Sequence, residues 1–276
     1  MLKITGWTLI CLLILQSCRK DTDFPDHIQR YLHISHTRLD SNPNLDQIIE
    51  GIDYSKYDML WLGGDLAYLT SFDESTIQHA DSLFDFSNPN TLWALGNHDY
   101  SDVERVKKYT NRPTYYARYF GGMTCLVLDT QDSVSNITGD QLEFLNHVLD
   151  TISNSRYLVL LTHQLIWLSG NPDLELIANQ ISNGPLGTCS YCINPNQFYI
   201  DIYPRLVEIN NSGIPVICIG GDIGSKSKSF EHITPEGIQF IGSGIKANQS
   251  GNLGLIFEQN FTKNTLSWSF EPIEFI

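Results

Sequence analysis

The sequence has 276 residues, 42% of them hydrophobic, which suffices for one large or two small packed domains. Its 17 basic and 31 acidic side chains give a formal net charge of −14. A protein that binds nucleic acid or an anionic membrane surface normally carries a basic patch, so this balance argues against both classes. An anionic substrate would need positive charge supplied locally, by a metal ion or a well-placed arginine.

The amino terminus predicts export. Residues 7–15 form an apolar run that is too short to span a bilayer and is typical of a signal peptide. The run ends in Leu15-Gln16-Ser17-Cys18, which resembles a bacterial lipobox. That resemblance implies removal of residues 1–17, lipidation of Cys18 and a polar tether over 18–28. Ordinary signal-peptidase cleavage, with Cys18 incidental, is the alternative. The small Ser17 favours the lipoprotein, which would be anchored in the bacterial cell envelope.

The first half of the mature chain alternates apolar segments with helix signals. Ser75 and Gln78 have the spacing of a capping box, which predicts a helix after them. Predicted strands cover 30–34, 58–62 and 91–95, and another helix covers 44–52. Strands that alternate with helices indicate a largely parallel sheet with covering helices.

The second half adds antiparallel structure. Segments 115–120 and 123–128 flank Gly121-Gly122, which predicts a hairpin. Thr138 and Gln141 have capping spacing before a helix with an apolar face. Further strands are predicted at 157–161 and 214–219, a helix at 203–210, and an all-β carboxyl terminus with strands at 230–234, 237–241, 253–258 and 265–270.

A long stretch, 164–198, has no clear periodicity and contains Cys189-Ser190-Tyr191-Cys192. A redox motif or half of a zinc site would need a βαβ context or a second cysteine pair, and neither is present. Export to an oxidising compartment favours a local disulfide between Cys189 and Cys192. We therefore expect an ordered pocket wall that includes Trp167, Tyr191 and Phe198.

Several apolar strands end in a residue or cluster that can bind a metal or carry a proton. These residues are His36, Asp65, Asn97-His98-Asp99, His163 and Asp222. Taken singly, each has an ordinary structural explanation, as a turn residue, a helix cap or a buried histidine. Together they are informative, because parallel strands place such ends on one edge of the sheet.

The order of these motifs resembles the calcineurin-like metallophosphoesterase superfamily over nearly the whole mature chain. The most specific matches are Gly63-Gly64-Asp65 and Gly96-Asn97-His98-Asp99. The resemblance implies a single α/β domain, 29–276, in which a two-sheet mixed β-sandwich is flanked by helices. It also implies metal-dependent attack of water on a phosphate ester.

The resemblance assigns roles to individual residues. Asp65 would bridge two metals, and Asn97 would bind the second of them. His98 would contact the phosphate or protonate the leaving group. Asp99 would orient His98, as carboxylates behind a functional imidazole do.

Two outer motifs depart from the family pattern. In His33-Ile34-Ser35-His36-Thr37-Arg38, His36 replaces the usual Asp and Arg38 replaces the usual His. In Gly221-Asp222-Ile223-Gly224, Asp222 and Gly224 replace two histidines. The second metal would keep its ligands, Asp65, Asn97, His163 and Asp222, whereas the first would keep only Asp65 and His36.

We therefore expect one divalent ion per chain, Zn, Mn or Fe. Arg38 would occupy the vacated space, where a permanently charged guanidinium can clamp phosphate. The alternative for Arg38 is a salt bridge to Asp65 or Asp222 in an inactive site.

Two functions remain open from the sequence. The first is an exported phosphoesterase acting on a phosphate mono- or diester. The second is a non-catalytic relative that binds a phosphorylated ligand or a protein partner. His98 favours the enzyme, because a binding module has no evident need of a proton donor.

Overall fold

The computed structural model describes residues 27–40 and 44–276. Two mixed sheets account for most of the backbone hydrogen bonding. The first sheet has five strands in the order β11-β10-β1-β2-β3, and the second has six in the order β4-β5-β6-β7-β9-β8. The strands of the first sheet are β1 (Ile28–Ile34), β2 (Met59–Leu62), β3 (Thr91–Trp93), β10 (Leu253–Asn260) and β11 (Thr265–Pro272). Those of the second are β4 (Tyr116–Phe120), β5 (Met123–Val127), β6 (Tyr157–Thr162), β7 (Val216–Gly220), β8 (Ser229–Ile233) and β9 (Gln239–Ser243).

The strand directions decide where polar residues can meet. β1, β2 and β3 pair in parallel, and so do β5, β6, β7 and β9. The antiparallel pairs lie toward the sheet margins, including the predicted hairpin of β4 and β5. Consequently the carboxyl ends of the central strands of both sheets face the same end of the sandwich.

Helices cover the outer face of each sheet. They are α1 (Gln47–Glu50), α2 (Glu74–Phe84), α3 (Val103–Thr110), α4 (Gly139–Thr151), α5 (Pro172–Ile181) and α6 (Tyr203–Asn211). Three apolar clusters result. One lies between the sheets around Trp61 and Phe257, one under α2 around Phe84, and one under α4 to α6 around Trp167. This is the predicted two-sheet sandwich flanked by helices.

The free edges of the two sheets are also tied together. The indole Nε1 of Trp268, on β11, donates to Glu231 Oε1, on β8, at 2.7 Å. An exposed sheet edge is a template for pairing with other chains, and this contact helps to cover both edges.

Three helix starts differ from the predictions. The helix predicted at 44–52 begins only at Gln47, because the Asp46 side chain accepts from Ile48 N and acts as its cap. Helix α2 is capped by Asp73 rather than Ser75, since a carboxylate beside Thr76 N accepts a stronger, charge-assisted bond. In α4 the cap residue is Thr138, but its side chain makes no cap bond, and Gln141 instead binds the backbone of Asp129.

Two further helices were not predicted. α3 starts after Asp102, whose side chain accepts from Arg105 N. α5 lies inside the stretch 164–198, capped by Asn171 with Pro172 at its first position. That stretch is therefore less irregular than expected.

Candidate active site

The predicted strand-end residues meet at one end of the sandwich. A cavity of about 250 Å³ opens there and is lined by His36, Arg38, Asp65, Asn97, His98 and Asp222. His163 lies just beneath them, fully buried, in contact with Asp65 and Asp222. Residues 186 positions apart are joined directly where Ser35 Oγ donates to Gly221 O at 2.7 Å, and this bond links the two sheets.

Glycine is required where these loops cross. A Cβ on Gly96 would lie 2.1 Å from Asp65 Oδ1, and one on Gly64 would lie 2.6 Å from Gly96 N. Gly64 also has a positive φ of 90°. Both glycines are thus required by close approaches, of Gly96 to the Asp65 carboxylate and of Gly64 to the backbone of Gly96.

Asp65 is the centre of the site. Its Oδ1 accepts from His98 N at 3.0 Å and lies 3.6 Å from His163 Nε2. Its Oδ2 faces the other direction, 3.6 Å from Arg38 Nε and 3.8 Å from His36 Nε2. One carboxylate therefore joins the groups predicted for both metal positions.

The two buried imidazoles have defined tautomers. His163 Nδ1 lies 2.7 Å from Gly63 O, and His36 Nδ1 lies 3.1 Å from Ile245 O. A carbonyl oxygen only accepts, so in each ring Nδ1 donates and Nε2 is turned toward Asp65. His163 Nε2 is buried and has no hydrogen-bond partner. When Nε2 is deprotonated, an imidazole held in this way presents a lone pair as a metal ligand would.

Burial and charge shift the pKa values of these groups in opposite directions. Burial alone would raise the pKa of Asp65, but the imidazoles of His163 and His36 outweigh it and the pKa is lowered. Burial would lower the pKa of His163, but the carboxylates of Asp65 and Asp222 raise it. Burial raises the pKa of Asp222. Burial lowers the pKa of His36 to about 4, so its ring is neutral at pH 7.

The donors for a metal ion are close to one another without forming a closed cluster. Within residues 27–40 and 44–276, no group of three or more His, Cys, Asp or Glu side chains is arranged as a metal site. The nearest approach is His163 Nε2, which lies 3.6 Å from Asp65 Oδ1 and 3.9 Å from Asp222 Oδ1. Donors around one tetrahedral ion are about 3.4 Å apart, so these side chains fit one ion after a small inward movement.

Arg38 lies beside Asp65 in an ion pair, the contact named above as the alternative to a phosphate clamp. Its side chain is 16% exposed, and Nη1 lies 3.5 Å from Asp40 Oδ1. Its buried Nε makes no hydrogen bond, because the 3.6 Å contact with Asp65 is an ion pair too long to be one. The guanidinium is thus held near the carboxylate with hydrogen-bonding capacity to spare.

The predicted contact from Asp99 to His98 is wrong. The Asp99 carboxylate accepts from Asp65 N at 2.7 Å, Gly96 N at 2.9 Å and Leu66 N at 3.1 Å, and also from the Thr70 hydroxyl. It is fully buried, and that burial together with the charge of Asp65 raises its pKa. Asp99 therefore holds the two motif loops together.

Tyr68 takes the role that was expected of Asp99. His98 Nδ1 is hydrogen-bonded to Tyr68 O, and the two rings lie 5.4 Å apart between centroids. Since the carbonyl accepts, His98 Nε2 is left free for the cavity. The sequence carries no signal for this contact, which joins two loops through a backbone carbonyl.

Gly224, where the resemblance implied a missing histidine ligand, is closely packed. Gly224 has a φ of +125°, and a Cβ there would lie 2.0 Å from Ile245 O. The backbone carbonyl of Ile245 also accepts from His36 Nδ1. The loop around Ile245 therefore occupies the space that a side chain at 224 would need.

The stretch 164–198 contributes a wall of the cavity, but through other residues than expected. Asn183, Gly184 and Tyr191 line it, with Ser225 from the loop after β7. Trp167 and Phe198, which were predicted in the wall, are 1% and 2% exposed and belong to the core under α5 and α6. The predicted disulfide Cys189–Cys192 is present. The cysteine pair correctly predicted that this segment forms a wall of the cavity, but it did not predict the contribution of Asn183.

The envelope predictions fall on residues that the structure does not describe. Cys18 and the apolar run 7–15 lie outside the described residues. Elsewhere, in the part of the chain that is described, no helix is both long and apolar enough to cross a bilayer.

A helix-flanked two-sheet sandwich with ligand-type residues at its strand ends is the architecture that the resemblance to the metallophosphoesterases predicted. The sequence profile of the calcineurin-like phosphoesterases matches residues 30–231. The chain belongs to the calcineurin-like phosphoesterase family, and membership of this family of hydrolases supports a phosphoesterase.

Comparison with solved structures supports the fold. A dimetal phosphatase from Danio rerio is 10% identical with a TM-score of 0.51, and the match covers 84% of this chain and 95% of that one. Two other matches are less similar in structure. An NAD nucleotidase from Haemophilus influenzae is 13% identical with a TM-score of 0.44, over 89% of this chain and 50% of that one. A 5'-nucleotidase precursor from Thermus thermophilus is 12% identical with a TM-score of 0.40, over 88% and 54%. Comparison with curated protein sequences gives no match.

Proposed function

We propose that this protein hydrolyses a phosphate mono- or diester at the cavity around Asp65, with one divalent metal ion and Arg38. The observation that carries the proposal is that the two oxygens of the Asp65 carboxylate face different groups. One oxygen faces the unpartnered Nε2 of His163, and the other faces the guanidinium of Arg38. His98 lines the same cavity with one ring nitrogen free.

The ion would be Zn, Mn or Fe, held by Asp65, Asn97, His163 and Asp222 with His36 nearby. When bound, such an ion polarises a phosphate oxygen and lowers the pKa of a water molecule. Arg38 would bind the phosphate oxygens and neutralise charge that develops on them. His98, oriented by Tyr68, would give a proton to the leaving group.

Metal content and turnover on simple esters test the proposal together. Purified protein should hold about one transition metal ion per chain, by the ligand count around His163. Aryl phosphate mono- or diesters should be hydrolysed when Mn or Zn is supplied. His98→Ala should lower kcat roughly a hundredfold or more, and Asp65→Asn should remove both turnover and bound metal.

His79→Ala is the matched control, because His79 lies outside the cavity in an ion pair with Glu50. It should keep wild-type turnover. Two tightly bound ions per chain would contradict the one-metal proposal.

A non-catalytic role is the second candidate, favoured by the lack of a closed ligand cluster among the described residues. In that case phosphate would bind through Arg38 without any metal-dependent turnover. This role would be supported if the protein binds phosphate but hydrolyses neither monoesters nor diesters with any metal ion supplied.

We also propose that the protein is exported and anchored to the bacterial cell envelope through a lipid on Cys18. The lipobox-like sequence before Cys18 supports this. Wild-type protein expressed in a bacterial host should partition into detergent, and Cys18→Ser should move it to the aqueous phase. Equal partitioning of the two would contradict the anchor.

A further inference from the structure

One wall of the cavity is a short loop, residues 183–193, named here the clamp loop. It is attached to a predicted metal ligand at its start. Asn183 N donates to Asp222 O at 2.9 Å, and Gly184 N donates to Asp222 Oδ2 at 3.3 Å. The position of this loop is thus fixed relative to the centre of the site.

The two arms of the clamp loop are packed tightly. Ile193 N donates to Pro185 O at 2.9 Å, and Gly187 N donates to Ile193 O at 3.2 Å. A Cβ on Gly184 would lie 2.3 Å from Tyr191 O, so only glycine allows the arms to come this close. The Cys189–Cys192 disulfide closes the tip.

The buried end of the tip is also held by the neighbouring strand ends. Cys192 is 5% exposed, and its carbonyl accepts from Gln164 Nε2 at 2.8 Å and from Ser135 Oγ at 3.0 Å. Gln164 is the residue that follows His163. The backbone at Tyr191 is therefore fixed from both sides, by the disulfide and by these bonds.

Tyr191 is the outward-facing residue of this fixed tip. Its side chain is 55% exposed, yet it lines the cavity that contains Arg38 and His98. The other described side chains that line the cavity are polar or charged. A large ring that stays partly exposed to water beside a charged cavity offers apolar surface to which a ligand can bind. Because the backbone holds the ring in place, binding to it costs less conformational entropy.

We infer that Tyr191 is a specificity-determining residue that packs on the organic group of the substrate, and that this group contains a planar aromatic ring. The inference rests on the proposed phosphoesterase activity of the same site. The cavity is small, about 250 Å³, against roughly 300–1,000 Å³ for drug-sized ligands. It suits a phosphate and a single ring system, with the disulfide keeping Tyr191 in place.

Binding of two non-hydrolysable probes, phenylphosphonate and methylphosphonate, measures the ring contact without turnover. Wild-type protein should bind the phenyl compound more tightly. Tyr191→Ala should weaken phenylphosphonate binding about three- to tenfold, the range of one aromatic contact. The same variant should leave methylphosphonate binding within twofold. Tyr191→Phe should bind both as the wild type does, because it keeps the ring.

The disulfide is tested with Cys189→Ser combined with Cys192→Ser. This variant should lose part of the phenyl preference, while the unfolding transition should stay cooperative because the backbone bonds of the clamp loop remain. Tyr119→Ala, which alters an exposed tyrosine outside this cavity, is the matched control and should change neither affinity.

The two proposals fail in different ways. Equal loss of both probes in Tyr191→Ala, or no loss of either, overturns the role of Tyr191 even if the enzyme hydrolyses phosphate esters. A selective loss of the phenyl probe supports that role even if no ester is ever hydrolysed, in which case only the proposed reaction is overturned.

Discussion

The two sides of the cavity are held in place by different contacts. The retained side, Asp65, Asn97, His98 and Asp99, keeps the family motifs and is tied together by the buried Asp99 carboxylate. The altered side, His36, Arg38 and Gly224, departs from the family motifs, and a loop carbonyl, Ile245 O, lies close against Gly224 and accepts from His36 Nδ1. A buried carboxylate is therefore at the centre of the contacts on one side, and a backbone carbonyl on the other.

This difference shows that separate sets of contacts hold the two sides of the cavity. The bonds that shape the retained side come from backbone N–H groups and do not depend on which ligands lie opposite. We expect the two sides to respond differently to substitution, and the predictions below run from the largest effect to the smallest.

Removing the Asp99 carboxylate should cost most. Asp99→Ala leaves the N–H groups of Asp65, Leu66 and Gly96 buried without an acceptor, which should lower the free energy of unfolding by about 4 kcal/mol. Urea unfolding followed by circular dichroism measures this. Asp140→Ala, at an exposed aspartate in the first turn of α4, should change it by less than about 0.5 kcal/mol. A loss below about 1 kcal/mol for Asp99→Ala would mean that the loops hold their shape by other contacts.

On the altered side, Gly224→Ala should lower the free energy of unfolding by about 3 kcal/mol, because strain at positive φ adds to a steric clash with Ile245 O. Gly213→Ala separates these two costs. Gly213 also has a positive φ, +95°, but nothing lies within 4 Å of the position that its Cβ would take. It should therefore lose only about 1 kcal/mol, and equal losses for the two variants would show that Ile245 moves aside freely.

The altered side should also be sensitive to acid. His33, on β1 just before His36, is fully buried, and burial lowers its pKa to about 3. The unfolded chain takes up this proton near pH 6.5 and the folded chain does not, so stability falls as the pH falls below 6.5. Between about pH 7.5 and pH 5, His33 should cost about 2 kcal/mol.

Denaturant titrations of wild type and His33→Gln at these two pH values measure that cost. The variant should show a smaller loss of stability on acidification, whatever its stability at the higher pH. His147→Gln, at an exposed histidine, should keep the wild-type slope. If His33→Gln also keeps that slope, the imidazole is protonated in the folded state.

The smallest effect is expected where the two sides meet. Ser35 Oγ bonds Gly221 O at 2.7 Å and lies 3.2 Å from Gly64 O. Ser35→Ala should lower the free energy of unfolding by about 1 kcal/mol, the value of one buried hydrogen bond. Ser212→Ala, which removes an exposed hydroxyl bond within one turn, is the comparison and should be close to neutral. No difference between the two would show that the Ser35 hydroxyl bond does not stabilise the junction of the two sheets.

Much of the fold was predictable from local pattern. Apolar runs that end at glycine predicted the strands, and the Gly121-Gly122 step predicted the hairpin of β4 and β5. The helix α3 was missed because charged residues interrupt its apolar positions, and its start depends on the Asp102 side chain. The start of α5 was visible in Asn171-Pro172, a cap followed by proline, but it was hidden within a stretch that lacks other periodicity.

For the site, the sequence predicted many of the residues that line the cavity, but not the hydrogen-bond partners that hold them in place. Strand ends and the family resemblance predicted much of the lining set, namely His36, Arg38, Asp65, Asn97, His98 and Asp222, whereas Asn183 and Ser225 were missed. The bonds of Asp99 and the support of His98 by Tyr68 O depend on backbone groups brought together only by folding. No pattern in the chain records them, because any residue supplies the same C=O and nearly any residue the same N–H.

The carbonyl of Ile245 has a consequence for how this site can change. It packs against Gly224 and also accepts from His36 Nδ1, so the two positions share one neighbour. A side chain at 224 is blocked while Ile245 stays. Ile245 is held there by two hydrogen bonds, one from His36 Nδ1 to its carbonyl and one from its own N to Ser35 O at 3.0 Å. A larger residue at 224 therefore requires movement of a loop that both His36 and the backbone of Ser35 hold in place.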